Sequence, residues 1–345
     1  MRCVIAILIF VGLVAPASAA LPRTIEFISI DATSRWISNY RARPEPARLP
    51  AAVRALSQLG AFKDQESAGV YIGFIAGVIS SNPDKAEELI AKMLPLAPAD
   101  QWVIVRAIAY SGHHDWKGLL RKFSERMPLR QAMIDKYLDG KLQTLDEIPL
   151  ERKNPTLWDK ARGLFQSDKD GKPSSETTVD RSPELLDTYW GYYFATGSYG
   201  PIARVIALLP WASERNSVDK LTVGNMAKYT LASNAARDTA LLTMLKRASK
   251  NQPKDVTVVL NEVIDAAETM ETTRLRKDAL ASIEELKRKG PGYKREVSNW
   301  GQIGTGALAL GCIVAAATGH IELGLPCVVG GAASSAALTY WNNQQ

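Results

Sequence analysis

Tyr71-Ile72-Gly73-Phe74 and Tyr189-Trp190-Gly191-Tyr192 stand 118 residues apart and share one order: aromatic, apolar, glycine, aromatic. At the same offset Ser80 matches Ser198 and Pro83 matches Pro201. Each copy reads as a helix rich in aromatics and glycine that turns through proline into a second apolar helix ending at Pro95 or Pro210. Glycine lets paired helices approach closely, while the aromatic rings fill the groove beside them. One hairpin cannot bury its own apolar face, so repeated hairpins stack. The expected fold is all-α: a helical-hairpin stack, solenoid-like or an irregular bundle, followed by a C-terminal apolar helical hairpin.

Working outward, apolar residues recur at helical spacing along the chain, and no stretch alternates with period two. The spacing predicts helices over 24–41, 46–59, 66–80, 84–94, 100–111, 115–125, 129–138, 183–196, 200–209, 217–232, 235–250, 254–269 and 272–289. Asn82-Pro83-Asp84 offers a capping acceptor, a proline for the first turn and an acid near the helix N-terminus, and Ser182-Pro183-Glu184 repeats it. Pro95, Pro128, Pro210 and Gly290 mark stops. Residues 166–182 are polar, with Val179 as their one aliphatic side chain, and read as a linker. The expected organisation is a signal peptide (1–19), an N-terminal helical domain (20–165), the linker, a second helical domain (183–290), a basic hinge (291–302) and a Gly/Ala-rich apolar hairpin (303–341).

Arg2, the apolar run Val4–Val14 and the small residues Ala17-Ser18-Ala19 have the order of a secretory signal, placing the mature N-terminus near Ala20. Export, to a periplasm or to the medium, is therefore expected. Apolar residues make up 46% of the 345 and the net charge is +6, with acids and bases interleaved. Such a chain buries a core and carries no footprint for nucleic acid.

Motifs for chemistry are sparse. His113-His114-Asp115 lacks metal geometry, because adjacent helical residues point about 100° apart. Asp168, Asp170 and Gly171 echo a calcium loop but lack its closing glutamate. No Gly-x-Ser-x-Gly elbow or phosphate loop is present, and Gly304-Thr305-Gly306 lies in an apolar run without a preceding strand. Neither a cofactor nor a metal is expected. Glu184 and Asp187 are the carboxylates set beside aromatics, Tyr189 and Trp190, and a glycan hydrolase would have to use them. In that reading Glu184→Gln and Asp187→Asn abolish activity on cell-wall glycans.

The C-terminal segment differs from all before it. Ile303–Gly319 is a run of 17 uncharged residues, and Leu323–Trp341 a run of 19. As helices these reach roughly 25 and 28 Å, close to the hydrocarbon thickness of a bilayer. Ala307, Gly311, Ala315 and Gly319 form a small-residue stripe on which a partner helix can pack. Cys312 and Cys327 come level in an antiparallel hairpin and are candidates for a disulfide. Lys287, Arg288, Lys289, Lys294 and Arg295 precede the tail as candidates for lipid headgroups. The functional expectation is a non-enzymatic exported binding or scaffold protein whose partner is another protein or a second copy, with membrane association through 303–341. The rival is a membrane-active protein that inserts that hairpin.

Overall fold

The computed structural model describes residues 27–148 and 183–269, with isolated helical positions from 275 to 285. Among the described residues there are twelve α-helices and no strand. The first half holds α1 (Ile30–Asn39), α2 (Leu49–Gln58), α3 (Gly69–Ser80), α4 (Ala86–Met93), α5 (Gln101–Tyr110), α6 (Trp116–Phe123) and α7 (Gln131–Leu138). The second holds α8 (Pro183–Thr196), α9 (Tyr199–Ala207), α10 (Val218–Ala235), α11 (Thr239–Ser249) and α12 (Lys254–Glu268).

Two of these helices, α3 and α8, carry apolar side chains on every face and are buried almost from end to end. A helix of that kind belongs inside a protein, not on its surface. They pack against each other more extensively than any other pair. A Cβ built on Gly73 would stand 1.9 Å from the carbonyl oxygen of Thr188, and one on Gly191 would stand 2.0 Å from that of Val70. A Cβ on Gly69 would meet the carbonyl of Glu184 at 2.3 Å. The helices therefore touch backbone to backbone, and at these positions only hydrogen fits between them.

The order of contacts fixes the direction. Gly69 meets Glu184, Gly73 meets Thr188, and Gly77 meets Tyr192 and Ala195, so α3 and α8 run parallel. The 118-residue echo is realised here as a local two-fold relation. Gly73 approaches the carbonyl three residues before Gly191, and Gly191 approaches the carbonyl three residues before Gly73. Gly77 and Ala195, equivalent by the same offset, meet across the axis. The partner of each glycine helix is thus its counterpart in the other copy. A solenoid repeat touches only its sequence neighbours, so the irregular bundle is the arrangement adopted.

The other helices clothe this pair in one apolar core drawn from both sides of residues 149–182. Polar bolts fix α8 within it. Tyr192 Oη donates to Ser80 Oγ at 2.8 Å, and Trp190 Nε1 donates to Thr230 Oγ1 of α10 at 3.0 Å inside the core. A second tight contact seats α10, where a Cβ on Gly224 would lie 2.2 Å from the Ala212 nitrogen of the 3-10 turn 209–213. The irregular stretch after α4 is held by arginines. Arg54 donates to Lys92 O, Arg126 to Ala91 O and Leu94 O, and Arg130 to Pro98 O and Ala99 O. These guanidinium groups satisfy carbonyls of the last turn of α4 and of the irregular stretch that follows it.

Several boundaries differ from the spacing-based expectation. The first helix begins at Ile30 rather than 24, because the Ser29 side chain accepts the Ala32 N–H and caps it there. The expected break at 232–235 lies later: α10 runs through Ala235, and α11 starts only after Asp238 caps the N–H groups of Ala240 and Leu241. Asn82 is not an N-cap acceptor. Its amide donates back to Val78 O at 2.8 Å, closing α3, and Pro83 opens a single 3-10 turn. Similar 3-10 turns precede α2, α3 and α7, where the periodicity suggested continuous helix.

The glycine contact yields a direct test. Gly73→Ala or Gly191→Ala should cost about 3 kcal/mol or more, since the new methyl meets backbone and cannot be relieved by a rotamer. Gly200→Ala should be neutral or slightly stabilising, because nothing lies within 4 Å of its added Cβ. Urea denaturation of the three variants separates close approach from the general helix penalty of glycine.

Candidate functional site

Glu184, one of the two acids set beside aromatics, opens α8, and its carboxylate is ion-paired with the guanidinium of Arg106 from the middle of α5. The pair is largely shielded, with side chains 22% and 16% exposed for Arg106 and Glu184. Arg106 also lies over the Trp102 ring at 5.1 Å, and its charge is felt by the phenols of Tyr110 and Tyr137. Tyr110 of α5 and Tyr137 of α7 meet edge to face with centroids 6.4 Å apart. The result is a cluster of one cation, one acid and two phenols tying α5, α7 and α8 together.

Burial raises the Glu184 carboxyl above the ordinary glutamate range, and the attraction and hydrogen bond of Arg106 offset that only in part. Burial likewise pushes both phenols up. A carboxyl raised in this way is one ingredient of a general acid. Here the acid faces the guanidinium of Arg106. Asp187 lies one turn further along α8 and has no exposed surface. It stands against Gly69 and close enough to Tyr71 to help raise that phenol, after burial, which acts most strongly. Glu184 and Asp187 therefore serve different neighbours: the first faces α5, the second faces α3.

A second polar cluster lies at the other end of α8. Asp238, the cap of α11, is ion-paired with Arg41 and accepts the Tyr193 hydroxyl at 2.7 Å, while Arg41 lies over the Tyr193 ring at 4.4 Å. Burial alone would raise the Asp238 carboxyl, but the Leu241 N–H, the Tyr193 hydroxyl and Arg41 together hold it below its ordinary value. This cluster connects the 3-10 turn after α1 with α8 and α11.

The sequence pattern pointed to neither Arg106 nor Asp238. Arg106 was open to discovery, as the lone charge in the buried run Gln101–Tyr110. Asp238 offered only the general capping signal of an acid two residues before an apolar stripe. Among the described residues no group of three or more His, Cys, Asp and Glu is arranged to hold a metal ion. Two surface grooves are built from other side chains. One, of about 560 Å³, is lined by Pro210, Ser213, Lys254, Asp255, Val258 and Val259. The other, of about 370 Å³, lies between Glu45–Arg48 and the outer face of α4.

The signal peptide, Cys312 and Cys327, the stripe Ala307, Gly311, Ala315 and Gly319, and the cations Lys287, Arg288, Lys289, Lys294 and Arg295 all lie outside the described residues. Among those that are described, no helix is long and apolar enough to cross a membrane.

Both clusters make measurable predictions. Removing the cation strands a buried carboxylate, so Arg106→Met should destabilise by about 3 kcal/mol or more, while Glu184→Gln, which keeps the neutral side chain that burial favours, should cost less. The double variant Arg106→Met with Glu184→Leu should lie closer to the unaltered protein than Arg106→Met alone, as urea denaturation would show. The two acids should respond oppositely to pH. Glu184 binds its proton more tightly when folded, so its contribution favours the fold below the ordinary glutamate range and is lost as pH rises through its folded value. Asp238 is held down, so its contribution is present above the ordinary aspartate range and is lost as pH falls through its folded value. Stability measured against pH for Glu184→Gln and Asp238→Asn should lose these two slopes separately.

No family model matches the chain, and no match was found among curated proteins or solved structures.

Proposed function

We propose that this chain is an exported, non-enzymatic helical protein that acts by binding, and that its segment 303–341 associates with a membrane or with a second copy. The observation that carries the binding reading is how the candidate acids are used. Glu184 is committed to Arg106 within the body, and Asp187 is enclosed between α8 and α3. Both are taken up within the helix packing, which leaves the outer faces of the helices and the tail as the surfaces for a partner. The membrane reading rests on sequence: uncharged runs of 17 and 19 residues preceded by five closely spaced cations. Chains of that composition favour an apolar phase edged by anionic headgroups.

Fractionation of expressing cells tests this in one experiment, with the full chain and a form ending at residue 302. The full chain is expected in the exported membrane fraction, and the shortened form in the exported soluble fraction. Retention of the full chain inside the cytoplasm would overturn export. Identical distribution of the two forms would overturn a membrane role for 303–341. Dye release from anionic liposomes by the full chain would favour insertion as an effector over a binding role, since a scaffold leaves vesicles sealed.

A further inference from the structure

The turn between α5 and α6 holds a histidine whose ring is used as a backbone acceptor. His113 is 8% exposed. Its Nδ1 accepts the N–H of Asp115 at 3.1 Å, which puts the ring proton on Nε2, facing the carbonyl oxygen of Pro83 at 3.4 Å. The neighbouring ring of His114 stacks on it, with centroids 4.3 Å apart. Asp115 is in turn the cap of α6: its side chain accepts the Gly118 N–H, and its carbonyl accepts that of Leu119.

Four parts of the fold meet here. Pro83 comes from the turn between α3 and α4, and Tyr192 reaches from α8 to the carbonyl of Ser111 at 3.2 Å. Asp146 approaches Gly112, which takes a left-handed φ of +64° to make the turn. The titratable and charged groups around the ring are His114 and Asp115 in the turn, Asp84 and Lys85 beside Pro83, and Asp146 and Tyr192 near Gly112.

We propose that this turn is a proton-sensitive latch on α6, in which a second proton on His113 breaks the turn. The chemistry follows from the inventory of the ring. Neutral imidazole offers one donor and one acceptor, and both are in use here. Imidazolium has two donors and no acceptor, so Nδ1–H would face the Asp115 N–H. Protonation of His114 adds like charge across the stack. Histidine is the side chain that makes this change between about pH 5 and pH 8. With the Asp115 amide displaced, the cap of α6 goes with it, and the buried face of Leu119, Leu120 and Phe123 loses its anchor.

Amide hydrogen exchange of the full chain near pH 7 and near pH 5, corrected for intrinsic rates, tests the latch. Protection of Asp115, Trp116, Gly118 and Leu119 should fall by about tenfold more than that of α8 amides on acidification. His113→Asn keeps an acceptor in place of Nδ1 but cannot be protonated, and should abolish the difference. An unchanged profile in the native protein, or an equal loss in His113→Asn, overturns the proposal. Should that variant not fold, nitrogen NMR of the native protein decides it. The neutral ring must carry its proton on Nε2, and the Asp115 amide shift must move with the His113 titration. A proton on Nδ1 at neutral pH, or an Asp115 amide indifferent to that titration, overturns the latch as well.

Discussion

Backbone contact between α3 and α8 is the constraint on which the rest of the molecule depends. With glycine at 69, 73, 77 and 191, the two helices touch largely through main chain, and the Cβ atoms of Asp187 and Ala195 are set against Gly69 and Gly77. Parallel helices held this closely cannot slide, because a one-residue shift would bring a Cβ against a carbonyl oxygen. The same closeness explains why both helices are apolar all round. Their shared face is filled by main chain, so their aromatic and branched side chains point outward into the layer of surrounding helices. Trp36, Tyr40 and Phe74 meet edge to face in that layer, and Trp190, Tyr193 and Phe194 form its counterpart on α8.

A pair that is buried from end to end creates a difficulty at its ends, where polar groups would be stranded. The answer adopted is to tie each end of α8 to a charge brought from elsewhere. Arg106 meets Glu184 at the start, and Tyr193 near the finish binds the Asp238 carboxylate that Arg41 also holds. Desolvation makes such groups poor sources of net stability, but they are demanding about geometry. Apolar side-chain contacts outside the glycine seam would tolerate small rotations of α8 about its axis. An ion pair at one end and a shared carboxylate at the other do not.

Much of this was legible in the sequence, and what was missed follows a pattern. Local signals worked: helical spacing located every described helix, and the aromatic-glycine echo at 71–74 and 189–192 picked out the central pair. The identity of the partner was not legible. Period and capping are local properties, whereas Gly73 meets Thr188 across more than a hundred residues. A four-residue small-side-chain stripe was recognised in 307–319, yet Gly69, Gly73 and Gly77 form the same stripe in the helix that organises the fold. Arg106 shows the complementary lesson, that a single charge within an apolar helix signals a buried partner. The setting of Glu184 beside aromatics does not reveal the cation that neutralises it.

These features also bear on where a partner can act. The faces of α3 and α8 are consumed by each other and by the layer around them, so among the described residues the accessible surface belongs to the outer helices. Apart from α10 and α12 those helices are short, and most are entered through single 3-10 turns or side-chain caps. Their attachment to the centre is correspondingly local: α6 depends on its cap and on Leu119, Leu120 and Phe123, whereas α8 is gripped along its whole length. A fold with a rigid parallel pair inside and individually capped helices outside can let one outer helix respond to its surroundings while the central pair keeps its register.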